Sequence, residues 1–322
     1  MKITVLGAGN WGTAFARILS KNKHEIVIWT IEEDVFRDIN ENHVNTKYLK
    51  GVNLPESIRA ERDLGSAVSK ADFIVMAVPS HIVSIVSKQL AEFYKNQPII
   101  DLAKGFEPNI FLRMSETIKK EIPSADVIAL SGPSIANEVA LDIPTSVSIA
   151  GDNKETLKLA KEILESENFH VFPNNDIIGV EMGGILKNVI AIAGGMSDGL
   201  GFGCNTKSAI ITNGLKEMKR IGVSLGAKEE TFFELSGIGD LIVTSISEDG
   251  RNRTLGEKLG RGMTLEEIKK ESLQVMEGVN ACSLAIKIAD EKKISVPITR
   301  EIYDVLFNNK KPISAVRKIL SL

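Results

Sequence analysis

Short apolar runs alternate with polar-faced helical stretches through the first half of the chain. The runs Ile3–Leu6, Glu25–Trp29, Ile58–Ala60, Phe73–Val78, Ile99–Leu102, Val127–Leu130, Ser146–Ile149 and Phe169–Phe172 predict strands. Most are rich in Val and Ile and unbroken by polar residues, the pattern of a sheet covered on both faces. Helical periodicities lie between many of them, as at Ile82–Phe93 and Glu155–Leu164. Such alternation implies parallel strands joined by right-handed crossovers. After about Phe172 the strands mostly stop. Met182, Ile185, Leu186, Val189, Ile190 and Ala193 fall on one helical stripe. Further helices are expected at Lys207–Arg220, Glu230–Leu235, Thr264–Lys270, Ala281–Lys292 and Ile298–Phe307, with Thr264 and Glu267 forming a capping box. The fold class is therefore α/β: a Rossmann-type, doubly wound domain over residues 1–175, then an all-α domain over residues 176–322.

The 322 residues suit two domains. Acidic residues number 42 against 39 basic, so no cationic excess calls for nucleic acid. No run of about 18 apolar residues occurs, so no membrane insertion is expected. Residues 1–12 lack the features of a signal peptide. The two cysteines, Cys204 and Cys282, offer neither a disulfide framework nor a metal site. A reducing, cytoplasmic setting is the expectation.

Gly7-Ala8-Gly9-Asn10-Trp11-Gly12 is a G-x-G-x-x-G that follows a strand and opens a helix. Gly7 permits a tight turn, Gly9 lets backbone approach a pyrophosphate, and Gly12 lets helix and strand pack closely. The helix N-terminus then offers N–H groups to phosphate. A plain glycine turn would fit the same letters without a ligand. At the end of the second strand, Thr30-Ile31-Glu32-Glu33 contains no Arg or Lys. Two acids there would repel a 2′-phosphate, so the reading leans to NAD over NADP. The same acids also suit the first turn of the next helix.

Lys104 and Ser131-Gly132-Pro133-Ser134 each follow a predicted strand, at the edge where α/β sheets hold ligands. Each also reads as an ordinary loop or helix start. Lys187 is more informative. Its helical neighbours Gly183, Gly184, Ala191 and Gly194 are all tiny, so another backbone or a ligand can come close. A helix built only for stability would not accept two glycines at about 1 kcal/mol each. Asp240 suits either a carboxylate holding Lys187 or the cap of a helix beginning at Leu241. Arg251 and Asn252 offer a guanidinium fork and an amide suited to a dianionic phosphate, or merely a surface turn.

Taken together, these segments resemble the NAD(P)-dependent sn-glycerol-3-phosphate dehydrogenases of bacterial type. The matching residues are Gly7 to Ala14, Val78-Pro79-Ser80-His81, Lys104-Gly105, Ser131 to Ser134, Leu186 to Ala191, Gly194 to Gly203, Gly237 to Leu241, Arg251-Asn252-Arg253 and Glu277-Gly278. The block from Leu186 to Gly203 is the most specific. The resemblance implies reduction of dihydroxyacetone phosphate to glycerol 3-phosphate with NAD or NADP, supplying phospholipid synthesis. It implies that Asn10, Trp11, Ile31, Ala136, Val275 and Glu277 join Gly7, Gly9 and Gly12 around the cofactor. Lys104, Gly132, Ser134, Asp240, Gly250, Arg251 and Asn252 would hold substrate, Lys104 and Arg251 also lying near the cofactor. Lys187 would donate and accept the proton, assisted by Lys104 and Asp240. Burial and Lys104 would lower its pKa while Asp240 opposed them. Three positions depart from the family pattern: Ile31 lies near where a basic residue is usual, Gly250 where Ser is frequent, though its backbone N–H remains a donor, and Ile135 where Phe is common, a packing change. No metal-ligand cluster is read. The partner is a small-molecule substrate, and a homodimer through the helical domain is the expectation for assembly. The rival readings are a β-hydroxyacid dehydrogenase, which would bind a carboxylate, and a non-catalytic NAD-binding sensor.

Overall fold

Unbroken Val and Ile runs make strands buried on both faces. In chain order these are Lys2–Leu6 (β1), Glu25–Trp29 (β2), Val44–Asn45 (β3), Leu49–Asn53 (β4), Ile58–Glu61 (β5), Phe73–Met76 (β6), Ile99–Asp101 (β7), Val127–Ser131 (β8), Thr145–Ala150 (β9) and Phe169–Asn174 (β10). The computed structural model describes residues 1–108, 110–271 and 276–322. Eight strands form one sheet in the order β10-β9-β8-β7-β6-β1-β2-β5, and β3 and β4 form a separate antiparallel hairpin. The pairings from β5 through β2, β1, β6 and β7 to β8 are parallel, as is β9 with β10. From β1 the chain moves outward to β2 and β5, then returns to β6 on the other side of β1. That reversal is the switch point at which doubly wound sheets open a crevice.

The sheet is covered on both faces, as the fold class requires. Ile3 and Val5 of β1 pack in one core with Phe15 and Leu19, and Ala160 and Ile163 join the same core. Leu6, Ile74 and Met76 pack on the opposite side with Val83, Leu90, Met114 and Ile118. β6 stops at Met76, two residues short of the expected Val78, because both its neighbours end there: Met76 lies opposite Leu6, the last residue of β1, and Asp101, the last of β7. The β3–β4 hairpin was not expected: a two-residue strand carries no readable alternation.

The chain divides into two compact units. The first comprises Met1–Ala103, Leu112–Leu130 and Ser134–Ile177; the second comprises Lys104–Phe111, Ser131–Pro133 and Ile178–Leu322. The second is built on the helix Ile177–Gly199, buried continuously from Gly179 to Ser197. By length and composition this helix is apolar enough to cross a membrane, but 89% of that window is buried within the fold. A helix apolar all round is a core helix when others surround it. Here Cys204–Ser224, Arg251–Gly260, Glu277–Lys292, Pro297–Phe307 and Pro312–Leu320 share its core cluster, together with Phe106. Glu217, buried inside Cys204–Ser224, caps the neighbouring helix: its carboxylate accepts from the backbone N–H groups of Ile298 at 2.8 Å and Thr299 at 2.7 Å.

The expected helix Glu230–Leu235 is instead a 3-10 turn, Glu230–Phe233, followed by a π turn, Leu235–Gly239, that leads straight into the helix Asp240–Ile246. Gly237 allows this, because a Cβ there would collide with the backbone of Phe232. The π turn sets where Asp240 enters its helix.

Candidate functional site

In the first unit, the glycine loop leaves β1 beside the switch point. Gly7 has φ +117°, and a Cβ there would lie 2.9 Å from the Ala77 carbonyl oxygen. A Cβ on Gly12 would strike the Gly7 carbonyl, so the helix Asn10–Lys21 packs this closely only with glycine. Gly9 differs, because a Cβ there would meet nothing within 4 Å. Its missing side chain leaves open space in front of a helix start that has no side-chain cap. The Asn10 side-chain oxygen is buried with no hydrogen-bond partner among the described residues. Open space, unclaimed first-turn N–H groups and an orphaned acceptor together fit a pyrophosphate and its adjoining groups. Trp11 stacks edge-on against Phe15, with ring centroids 5.5 Å apart. The unexpected hairpin braces this loop: Asn45 donates to the Ala8 carbonyl and to the Thr13 hydroxyl, both at 2.8 Å.

At the end of β2, Ile31 is 72% exposed. The two acids beside it, read from the sequence as repelling a 2′-phosphate, are both ion-paired. Glu32 is paired with Lys47 and accepts from the Tyr48 hydroxyl at 2.9 Å, while Glu33 is paired with Arg62 and Arg37. Arg37 is a neighbour one helical turn on, but Lys47 and Arg62 come from further along the chain, which reading the strand end alone did not reveal. Ser134 precedes, and Ala136 opens, the short helix Ala136–Ala140, also in the first unit.

In the second unit a charged cluster is buried. Asp240, 1% exposed, uses both carboxylate oxygens. Lys187 pairs with Oδ1; Lys104 pairs with Oδ2 at 2.7 Å, and Ser131 donates to Oδ2 at 3.3 Å. Lys187 also donates to the Thr244 hydroxyl at 2.7 Å, and Lys104 to the Gly132 carbonyl at 3.2 Å. Asp240 thus holds lysines; the helix it begins is capped from Gly239 without a side-chain bond. Thr244 was missed by sequence reasoning. Its signal is position: four residues after Asp240, it stands on the same helical face. The small floor beneath Lys187 serves the protein's own close contacts. A Cβ on Gly184 would sit 2.5 Å from the Ser131 hydroxyl, and one on Gly183 would collide with the Ser236 carbonyl.

Within the ion-paired cluster two ammonium groups share one carboxylate, an excess that the Glu277 charge acting on Lys187 offsets in part, and the lysines still offer donors to an anionic substrate. Burial lowers the Lys187 ammonium to about 8, and the Lys104 charge pushes the same way against the pull of Asp240. Burial pushes Asp240 upward, yet Lys104 and Lys187 hold it below the usual carboxylate range. A lysine titrating near neutrality can both give and take a proton.

Arg251 is exposed at the start of the helix Arg251–Gly260. Asn252 turns inward, donating to the Asn188 side chain and accepting from the Gly278 N–H, each at 3.0 Å. The Gly250 N–H, expected to remain a donor, is already given to the Ser247 carbonyl at 3.2 Å by the turn that starts this helix. Glu277 begins the helix Glu277–Lys292, and Val275 lies outside the described residues.

The sequence model of the NAD-dependent glycerol-3-phosphate dehydrogenase N-terminus matches residues 2–157, and that of its C-terminus matches residues 176–317. The chain belongs to this family. It is 46% identical over 322 residues to a glycerol-3-phosphate dehydrogenase (NAD(P)+) of Thermoanaerobacter sp. strain X514, covering all of this chain and 97% of that one. A relative of the same name from Bacillus pumilus strain SAFR-032 is 43% identical, covering 99% and 94%. Among solved structures, the glycerol-3-phosphate dehydrogenase of Coxiella burnetii superposes with a TM-score of 0.94 at 34% identity, over 100% and 99% of the two chains. The chain is an NAD(P)-dependent oxidoreductase with a Rossmann-type first domain and a helical second one.

Proposed function

We propose that this chain interconverts dihydroxyacetone phosphate and sn-glycerol 3-phosphate in the cytoplasm, supplying the glycerol phosphate backbone for phospholipids, with residues 1–175 as the dinucleotide-binding domain, from which Lys104, Gly132 and Ser134 also serve the substrate, and residues 176–322 as the helical substrate and catalytic domain. The observation that carries the reading is the buried Lys104–Asp240–Lys187 cluster with its excess positive charge and its lysine near neutrality. NAD(P)H, held on Gly7, Gly9, Asn10, Trp11 and Gly12, supplies the hydride when bound. Lys187 as ammonium faces the oxygen that gains charge and gives it a proton; in the oxidation direction the neutral amine takes that proton back. Asp240 aims the amine and Lys104 keeps it from being too strongly protonated. Arg251, Asn252, Gly132 and Ser134 take the phosphate end, whose binding energy positions the distant carbonyl. Ala136 and Glu277 adjoin the cofactor.

Lys187→Ala tests this. Initial rates of dihydroxyacetone phosphate reduction should fall about 10²–10⁴-fold, the range of a lost general acid, while NADH binding measured by calorimetry persists. A variant that keeps wild-type kcat removes Lys187 from the chemistry.

A further inference from the structure

The end of β2 is electrically unlike its sequence. Glu32 stands twenty residues after Gly12, where a dinucleotide fold places the acid that meets the adenosine ribose. Glu32 does not face that position alone. Lys47 is paired with its Oε2 and with Asp34 at 3.1 Å, and the Tyr48 hydroxyl occupies its Oε1. Glu33 and Arg62 pair beside them. Each acid at this edge is met by a base.

Lys47 is delivered there by a braced element. It lies in the turn between β3 and β4, and Asn45 ties that hairpin to the glycine loop. The Asn45 side-chain oxygen in turn accepts from the Tyr48 N–H at 3.2 Å. The hairpin that steadies the phosphate loop therefore also fixes the backbone beneath Lys47. The Lys47 side chain is 45% exposed, so its ammonium can turn towards a ligand without unpacking anything. An ammonium carries three donors and can bridge two anions.

Resting on the reading of the glycine loop as a dinucleotide site, we propose that Lys47 is the residue that lets this chain accept a 2′-phosphate, bridging it to Glu32 in place of the basic side chain missing at Ile31. With an unphosphorylated ribose, Lys47 remains on Glu32, and the carboxylate accepts the 2′-hydroxyl. The chain then takes both cofactors, and Lys47 sets their ratio.

Calorimetric binding of NADPH, NADH, 2′,5′-ADP and 5′-AMP to the wild type, Lys47→Ala and Lys47→Arg tests this without turnover. Losing one charge-assisted contact should weaken NADPH and 2′,5′-ADP about tenfold or more in Lys47→Ala. NADH and 5′-AMP should move less than about threefold, since only an exposed ion pair is lost to them. Lys47→Arg should retain 2′,5′-ADP. Equal effects on phosphorylated and unphosphorylated ligands, or none on either, overturn the proposal. So does a wild type that binds NADH and refuses 2′,5′-ADP, which leaves the glycine-loop reading intact. A wild type that binds no dinucleotide overturns that reading and this one with it.

Discussion

Lys187 is costly where it stands, because the ammonium of a residue only 7% exposed has lost most of its water. What offsets the loss is Asp240, and what limits the offset is that Asp240 is shared. Lys104 takes its second oxygen and adds a like charge close by. This sharing has a measurable sign. Oxidation of glycerol 3-phosphate needs neutral Lys187, so its rate should rise with pH through about 8. Lys104→Gln removes a cation that lowers Lys187 and leaves Lys187 the only charged partner of Asp240 within the cluster. Both changes favour the ammonium, so the midpoint of the kcat–pH profile should move to higher pH, besides any loss of kcat. A midpoint that stays put or falls would take Lys104 out of the tuning. At this scale the sequence was most legible where a residue type was out of place: a lysine on glycines, an aspartate after a Gly-Ile-Gly. It was least legible where partners come from far away, as with Lys47 on Glu32 and Arg62 on Glu33.

The elements divide between those whose own letters specify them and those specified by neighbours. The strands β1, β2, β6, β7 and β8 were readable because each is a dense apolar run. The capping box at Thr264 forms with both reciprocal bonds, Glu267 N–H to the hydroxyl at 3.2 Å and Thr264 N–H to the carboxylate at 2.7 Å. The π turn before Asp240 has no local signature beyond its glycines; Gly237 lies against the backbone of Phe232, five residues earlier, where a Cβ would not fit. The helix Pro297–Phe307 starts on Pro and lacks a side-chain cap of its own, so its first N–H groups depend on Glu217, some eighty residues earlier. Glu217→Ala should leave those donors buried and unpaired, at about 3 kcal/mol. A calorimetric melt should show Tm lowered on the order of 5–10 °C. A shift of about 1 °C or less would mean that water or a repacked side chain caps the helix as well.

On the scale of the whole molecule, the order of residues and the membership of the two units do not coincide. The helical unit includes Lys104–Phe111 and Ser131–Pro133, short pieces emitted between strands of the sheet. Phe106 from the first piece is 7% exposed and belongs to the helical core. A fragment of residues 178–322 therefore lacks a core aromatic as well as Lys104 and Ser131. Losing such a side chain alone costs about 3–5 kcal/mol. The fragment should melt broadly in circular dichroism and bind the dye ANS; a sharp, dye-silent transition would show that the borrowed pieces are dispensable to the fold. A boundary drawn from periodicity alone cannot see this, since the change from alternating strands to continuous helices marks only where the long helix begins.

The borrowed pieces also give the molecule a history at each synthesis. At translation rates of about 5–20 residues per second, Lys104 leaves the ribosome on the order of ten seconds before Asp240. Through that interval the ammonium stays in water, where it costs nothing. The carboxylate that will bury it arrives only with the last quarter of the chain. A nascent chain halted after β10 already carries its glycine loop and its hairpin, yet its reactive lysine has not been made. Catalytic competence is thus withheld until the chain is nearly complete, and an interrupted product is a binder of dinucleotide at most.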